Sequence, residues 1–330
     1  MNIQFVFAGA GHSLGSRTIV NADLATSLSL PADWFEQRTG IIERRVCGEG
    51  QDVLSMAAEA ITNAFHDGGL TLKEVGEETV LLHIQNGLTH LTPPAAVLVA
   101  HRLGWRNARV FGIDGVCAEP IQALETGLLL LEHGRCQRVV ISASVDFQSI
   151  IDPTDQDTIG LFGSGAGAII LERDHGRPAS VLKSIHLENH TEHCGLGVIP
   201  VIAVRPSEMG VSVQLGYYKM KGMQLARVAL QVLPKVVHRV LDESGWTPTD
   251  IDFIASHQPN FKMLVAGTKR MNFNPAIVGT AFTHLGNIGP ASLLILLSLA
   301  KQERRIVRGS KLLLVSFGLG FSCGAATVLL

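Results

Sequence analysis

Two stretches of this 330-residue chain carry the same series of segments, and that repeat restricts the fold more than any single motif does. In the first half a helix-patterned run, MAAEAITNAF (56–65), leads through DGGLTLKEVGEE to the apolar strand TVLLHIQ; in the second, VALQVLPKVVHRVL leads through DESGWTPTD to IDFIASHQ. Each unit then continues alike. ARVFGIDGVCAEP, an apolar helix, the strand RVVISASV and FGSGAGAIIL follow the first, and NPAIVGTAFTHLGNIGP, an apolar helix, the strand KLLLVSF and GLGFSCGAATVLL follow the second. Alternating helices and near-continuous apolar strands read as an α/β unit used twice, with each sheet covered on both faces. A pseudo-twofold relating the halves would put Cys117 and Asn287 at equivalent helix entrances, with His257 at the end of a neighbouring strand. Three polar side chains would then meet in one internal cleft.

Cys117 stands between the short strand ARVFGI (108–113) and a helix in which Ile121, Leu124, Leu128 and Leu131 recur at helical spacing. Pro120 falls in the tolerated first turn and Gly134 where a C-cap belongs. At a helix N-terminus the unpaired N–H groups and the positive dipole end favour an anion, so the expectation is a thiol held partly as the nucleophilic thiolate. The same position suits a small buried hydrophobe, and position alone leaves both readings open.

A formal net charge of -2 gives no electrostatic reason to expect nucleic acid or an anionic membrane as partner. Five cysteines (Cys47, Cys117, Cys136, Cys194, Cys323) are widely scattered with no pair at metal-knuckle spacing, which suits a reducing cytoplasm. The opening MNIQFVFAGAG lacks a basic region and reads as a first strand, not a signal peptide. The tail LLLVSFGLGFSCGAATVLL is broken by three glycines and reads as two buried strands rather than a membrane span. GSGAG (163–167) mimics a phosphate loop but runs into a strand instead of opening a helix, so a turn is expected there. His186, His190, His193 and Cys194 in HLENHTEHC are metal-ligand types at loop or helical spacing.

In order and approximate spacing, WFEQRTGIIERR, the Cys117 segment, DPTDQDTIGLFGSGAGAIIL, SHQPNFKML, HLGNIGPAS and FGLGFSCGAA resemble the thiolase superfamily. Within it, the chain is similar to the β-ketoacyl-acyl-carrier-protein synthase III group and its chalcone-synthase-like relatives over nearly its whole length. The resemblance implies a thiolase-like duplicated α/β/α layered fold with two mixed sheets and buried central helices. Residues 1–173 would form the half carrying the cysteine, residues 174–330 the half carrying His and Asn, and the protein would be a homodimer.

By the same resemblance the chain is an acyltransferase. Cys117 accepts an acyl group from a coenzyme A or carrier-protein thioester, while the amides of Cys117 and Leu319 hold the thioester oxyanion. His257 and Asn287 aim donors at the enolate left when a malonyl thioester loses carbon dioxide, the Claisen step of fatty-acid-like or polyketide biosynthesis. The alternative is a relative that hands the acyl group to an alcohol or amine. The thioester is substrate, no cofactor is tightly bound, and no metal is implied for the histidine cluster, which maps to a variable pocket loop.

Trp34 and Arg38 match residues placed around the adenine and phosphates of coenzyme A or the phosphopantetheine entrance, and Asn260 one that lines the pantetheine arm. Gln156 and Lys262 stand where arginine is common, which weakens stacking and bidentate phosphate contact and favours a carrier protein over coenzyme A. Thr92 replaces a bulky residue at the subunit-facing end of the acyl pocket, so different chains would be admitted. Glu119 stands where glycine is usual. It reads either as ordinary helix-terminus electrostatics or as a base or orienting group for an acceptor other than malonate. A nicotinamide oxidoreductase is disfavoured because no G-x-G-x-x-G opens a helix, and a non-catalytic partner subunit because Cys117, His257 and Asn287 are all retained.

Overall fold

The computed structural model describes residues 2–86, 90–114 and 116–330. Its first unit runs β1 (Ile3–Leu14), α1 (Val53–Asp67), β2 (Thr79–Asn86), α2 (Ala95–Arg102), β3 (Arg109–Ile113), α3 (Glu119–Glu132), β4 (Arg138–Val145) and β5 (Gly165–Glu172). The second runs β6 (Ser180–Asn189), α4 (Gly222–Ser244), β7 (Phe253–Ser256), α5 (Phe261–Arg270), α6 (Ala291–Gln302), β8 (Lys311–Gly318) and β9 (Ser322–Leu329). The two series match in kind and order, except that among the described residues β3 is answered only by a single parallel bridge between Ile254 and Val278.

The strands lie in the order β7-β8-β9-β6-β1-β5-β4-β2-β3. Pairing is parallel for β7 with β8 and for β2 with β3 and β4, and antiparallel elsewhere. Through β1 the strands of the two halves join into one continuous nine-stranded mixed sheet. Ile3–Phe5 pairs with Leu182–Ser180 of β6, and Val6–Leu14 with Glu172–Gly165 of β5.

Strand composition follows from burial on both faces. In β4, Val139, Ile141, Ala143 and Val145 enter the central core with α3 and α6, whereas Val140 enters the core beneath α1. The strand reads as unbroken apolar sequence because neither face meets water. Helix α6 is buried from Ala291 through Ser298 and again at Ala300. Helices α1 and α4 each bury only one face, α1 over the first half of the sheet and α4 over the second. Local signals set the ends: Asp52 and Ser55 form a capping box at α1, and Gly134, at φ +65°, closes α3 by donating to the Leu131 carbonyl at 3.0 Å.

GSGAG departs from its expected role as a turn, since β5 starts at Gly165 within it. A Cβ on Gly167 would lie 2.7 Å from Leu294 Cβ and 2.8 Å from Ile295 N, so this glycine lets the backbone of α6 rest directly on the sheet. The C-terminal tail forms the antiparallel pair β8 and β9, and among the described residues no helix is long and apolar enough to cross a membrane.

Gly167→Ala forces α6 off the strand, an overpacking cost of about 2 kcal/mol. The urea midpoint should fall with an unchanged m-value; an unchanged midpoint would show that α6 has slack at this point.

Candidate active site

Each candidate residue sits where a strand ends or a central helix starts. Cys117 precedes the N-cap residue Ala118 of α3. Asn287 leads through Ile288, Gly289 and Pro290 into α6, and its backbone is fixed on both sides: its N–H donates to the Leu161 carbonyl at 2.8 Å, and its carbonyl accepts from the Gly163 N–H at 3.0 Å. The Asn287 Oδ1 accepts the Gly289 N–H at 2.9 Å, which fixes the orientation of the side-chain amide and leaves its NH₂ as the donating end. His257 follows β7 directly; its N–H donates to the Val315 carbonyl at 2.9 Å and its ring packs edge-on to Phe317 at 5.3 Å.

The end of β8 touches both halves. Ser316 donates its hydroxyl to the Cys117 carbonyl, while Val315 and Phe317 hold His257. A Cβ on Gly318 would lie 2.8 Å from the Cys117 nitrogen, so the G-L-G turn can rest on the cysteine backbone only because glycine stands there. Leu319 opens the short helical turn 319–321, and its side chain covers Gly197. On the far side the Gly289 carbonyl faces His257, and Gly289 lies against Val145 and Phe147. Phe147, Phe162 and Tyr218 pack ring on ring, with centroids 4.9–6.1 Å apart, and Tyr218 is near enough to Cys117 for the two groups to couple electrostatically.

Burial governs the protonation states. Cys117 keeps some exposed surface, but desolvation pushes its thiol up to about 12; the amide at the helix entrance opposes this and Glu119 adds to it. The expectation of a partial thiolate is thus overturned, because desolvation outweighs the helix terminus. His257 is pushed down to about 4 by the same burial, against a smaller upward pull from the Gly289 carbonyl. Among the described residues its Nδ1 is buried without a hydrogen-bond partner. At neutral pH the resting pair is thiol and neutral imidazole. Glu119 is buried at the start of α3, and burial raises its carboxyl although the Val116 amide pulls it back.

The structure thus brings Cys117, His257, Asn287 and the Leu319 turn to one place, with Glu119 beside them. A second group lies on an outer rim, where Gly40, at the end of helix Trp34–Thr39, abuts Phe261 of α5. There the Arg38 guanidinium lies 4.8 Å over the Trp34 ring and pairs with Asp157 at 2.9 Å, both partners exposed. Among the described residues the Trp34 Nε1 is buried without a partner. Asn260 caps α5, its Oδ1 accepting from the Met263 N–H at 2.9 Å, and Lys262, two residues on, is exposed. Thr92 stands apart, exposed in the stretch before α2, where Pro94 reaches Gly112 of β3. Sequence reasoning missed Ser316, Phe317 and Tyr218. Only Ser316 leaves a trace, as a hydroxyl in the apolar run LLLVSF.

Residues 241–330 match the family described as 3-oxoacyl-[acyl-carrier-protein (ACP)] synthase III C terminal, and residues 111–190 match 3-oxoacyl-[acyl-carrier-protein (ACP)] synthase III. The chain is 30% identical over 327 residues to the β-ketoacyl-[acyl-carrier-protein] synthase III of Ruegeria pomeroyi, covering 98% of each chain. The crystal structure of 3-oxoacyl-[acyl-carrier-protein] synthase III from Aquifex aeolicus superposes with a TM-score of 0.87 at 25% identity over 100% of both chains. The priming β-ketosynthase of the R1128 polyketide pathway shares the fold at a TM-score of 0.86 and 23% identity, over 98% of this chain and 96% of that one.

With its thiol pushed up to about 12, Cys117 of the free protein carries almost no thiolate at pH 8, and its alkylation rate should climb tenfold per pH unit well past pH 9. Peptide mass spectrometry with iodoacetamide at pH 8 should find Cys117 at least about a hundredfold slower than the exposed Cys194. Comparable rates would mean that the helix terminus dominates after all.

Proposed function

Because this chain belongs to the 3-oxoacyl-[acyl-carrier-protein] synthase III family and is an acyltransferase of the ketosynthase type, we propose that Cys117 is its nucleophile and that His257, Asn287 and the Leu319 turn complete the catalytic centre. The observation that carries this reading is the end of β8, four residues that hold the cysteine of one half and the histidine of the other.

Both groups rest neutral, so acyl loading needs a proton acceptor. As Cys117 Sγ attacks a thioester carbonyl, its proton passes to the unprotonated His257 and on to the departing thiol of coenzyme A or phosphopantetheine. The amides of Cys117 and Leu319 stabilise the oxyanion meanwhile. In the second half-reaction a malonyl thioester breaks its bond to the carboxylate and releases carbon dioxide. The enolate oxygen accepts hydrogen bonds from neutral His257 and the Asn287 amide, and its carbon attacks the acyl-cysteine. Two fixed donors stabilise charge that forms on one atom, and a protonated imidazole is not required.

The rim of Trp34, Arg38, Asn260 and Lys262 is the binding site for the coenzyme or carrier arm in this reading. Exposed Gln156 and Lys262, in place of planar cations, favour a carrier protein as partner. The halves divide at 173/174, between β5 and β6. A cytoplasmic homodimer forms through β3, one of the two edge strands of the sheet, whose Phe111 is 49% exposed. Thr92, near that edge, then helps set the acyl chain admitted. Buried Glu119 with its raised carboxyl supports one other outcome, transfer of the acyl group to an alcohol or amine with Glu119 as base.

Intact-mass spectrometry with acyl-coenzyme A and acyl-carrier thioesters should show one acyl adduct that Cys117→Ala abolishes. Added malonyl thioester should yield a ketoacyl product, and Asn287→Ala should slow that step by about 10²–10³ while leaving loading intact. Turnover only with an alcohol or amine would favour the Glu119 reading, and no adduct with any donor would refute the nucleophile. Phe111→Asp should convert a dimer to a monomer in light scattering; an unchanged mass would place the interface elsewhere.

A further inference from the structure

The histidine-rich segment HLENHTEHC folds into the end of β6 and the turn after it, and there it meets a residue far away in sequence. The β6–β9 register sets Cys323 opposite Glu188, and the His190 N–H donates to the Phe321 carbonyl at 2.9 Å, holding the imidazole over the same spot. One donor atom from each of Glu188, His190 and Cys323 lies within 4.8 Å of the others. Cys323 is fully buried, whereas the side chains of Glu188 and His190 are 34% and 29% exposed, so the cluster has a floor of sulfur and one side open to solvent.

We propose that Glu188, His190 and Cys323 form a binding site for a divalent transition metal, Zn²⁺ by the chemistry of its donors. A thiolate, an imidazole and a carboxylate suit zinc, whereas calcium and magnesium select oxygen alone. Tetrahedral zinc with bonds of ~2.0–2.3 Å separates its donors by roughly 3.3–3.6 Å. The widest pair must close by about 1 Å, within reach of side-chain rotation. The His190 Nε2 and Glu188 Oε1, now 2.8 Å apart, open slightly as a metal replaces the proton they share.

The surroundings orient these ligands. The Glu192 Oε1 lies 3.5 Å from the His190 Nδ1, a carboxylate–histidine–metal arrangement, and the His186 Nε2 holds the second Glu188 oxygen at 3.1 Å. Three protein donors leave the fourth position to water. On loading, Cys323 gives up its thiol proton and His190 any proton it carries, so metal uptake releases acid. The site would also fasten the end of β6 to the strand just beyond the G-L-G turn. The rings of His190 and His193 pack against Phe321 at 5.8 and 6.0 Å, and Phe321 is itself held in the left-handed region at φ +46°.

The test is to strip the full-length protein with a chelator and titrate it anaerobically with Co²⁺ alone. The expected result is one equivalent bound, with thiolate-to-cobalt charge-transfer absorption that Zn²⁺ erases. Cys323→Ser should abolish that absorption and His190→Gln should weaken binding at least tenfold, whereas Cys194→Ser and Cys117→Ala should leave it intact. No thiolate absorption, its survival in Cys323→Ser, or its loss in Cys194→Ser would each overturn the site. Should Cys323→Ser fail to fold, unchanged affinity in His190→Gln overturns it equally, since that side chain lies near the surface. None of these readouts depends on acyl transfer.

Discussion

The end of β8 is the constraint on which the rest of the site depends. Val315 accepts the His257 amide, Ser316 donates to the Cys117 carbonyl, Phe317 packs on the imidazole, and Gly318 leaves room for the cysteine backbone. One strand thereby references a helix entrance of the first half to a strand end of the second. The precision comes from a ladder paired on both sides, parallel to β7 and antiparallel to β9. Such a strand moves only if the sheet moves, which is what a catalytic arrangement needs from its support.

Burial sets the chemistry of the resting site. A thiol at a helix entrance is ordinarily discussed as a thiolate, but the stabilisation available from a helix terminus is modest and partial. Desolvation on burial works against it and prevails. The same dry surroundings keep His257 neutral. On the proposed mechanism, a neutral pair is inert toward adventitious electrophiles and acquires charge only when a thioester supplies the oxyanion to be stabilised. The dry site also makes each fixed donor count for more once charge develops.

The duplicated α/β unit, the two buried tail strands and the helix after Cys117 were legible because they rest on apolar periodicity and on glycine and proline positions, which are local. Cys117, His257 and Asn287 were legible as a candidate set from the family resemblance, with the repeat supporting related positions for Cys117 and Asn287. The thiol's protonation state was not, since desolvation depends on what packs over it. GSGAG was misread as a turn for a similar reason: the closeness of α6 to Gly167 is a fact about packing, and glycine serves turns and close approaches alike.

HLENHTEHC shows where the division lies. From the sequence alone it was a group of ligand types with a neighbouring cysteine, Cys194, and that residue turns out to be exposed. The cysteine that joins Glu188 and His190 is Cys323, brought there by strand register. Ser316 and Tyr218 likewise reach Cys117 from positions 199 and 101 residues downstream. Sequence by itself determined the elements, their repetition and the residues able to do chemistry, because short-range sterics and the alternation of apolar positions dictate those. Tertiary structure alone decided which of them meet and in what charge state, because register, close packing and desolvation arise only when distant segments share one core.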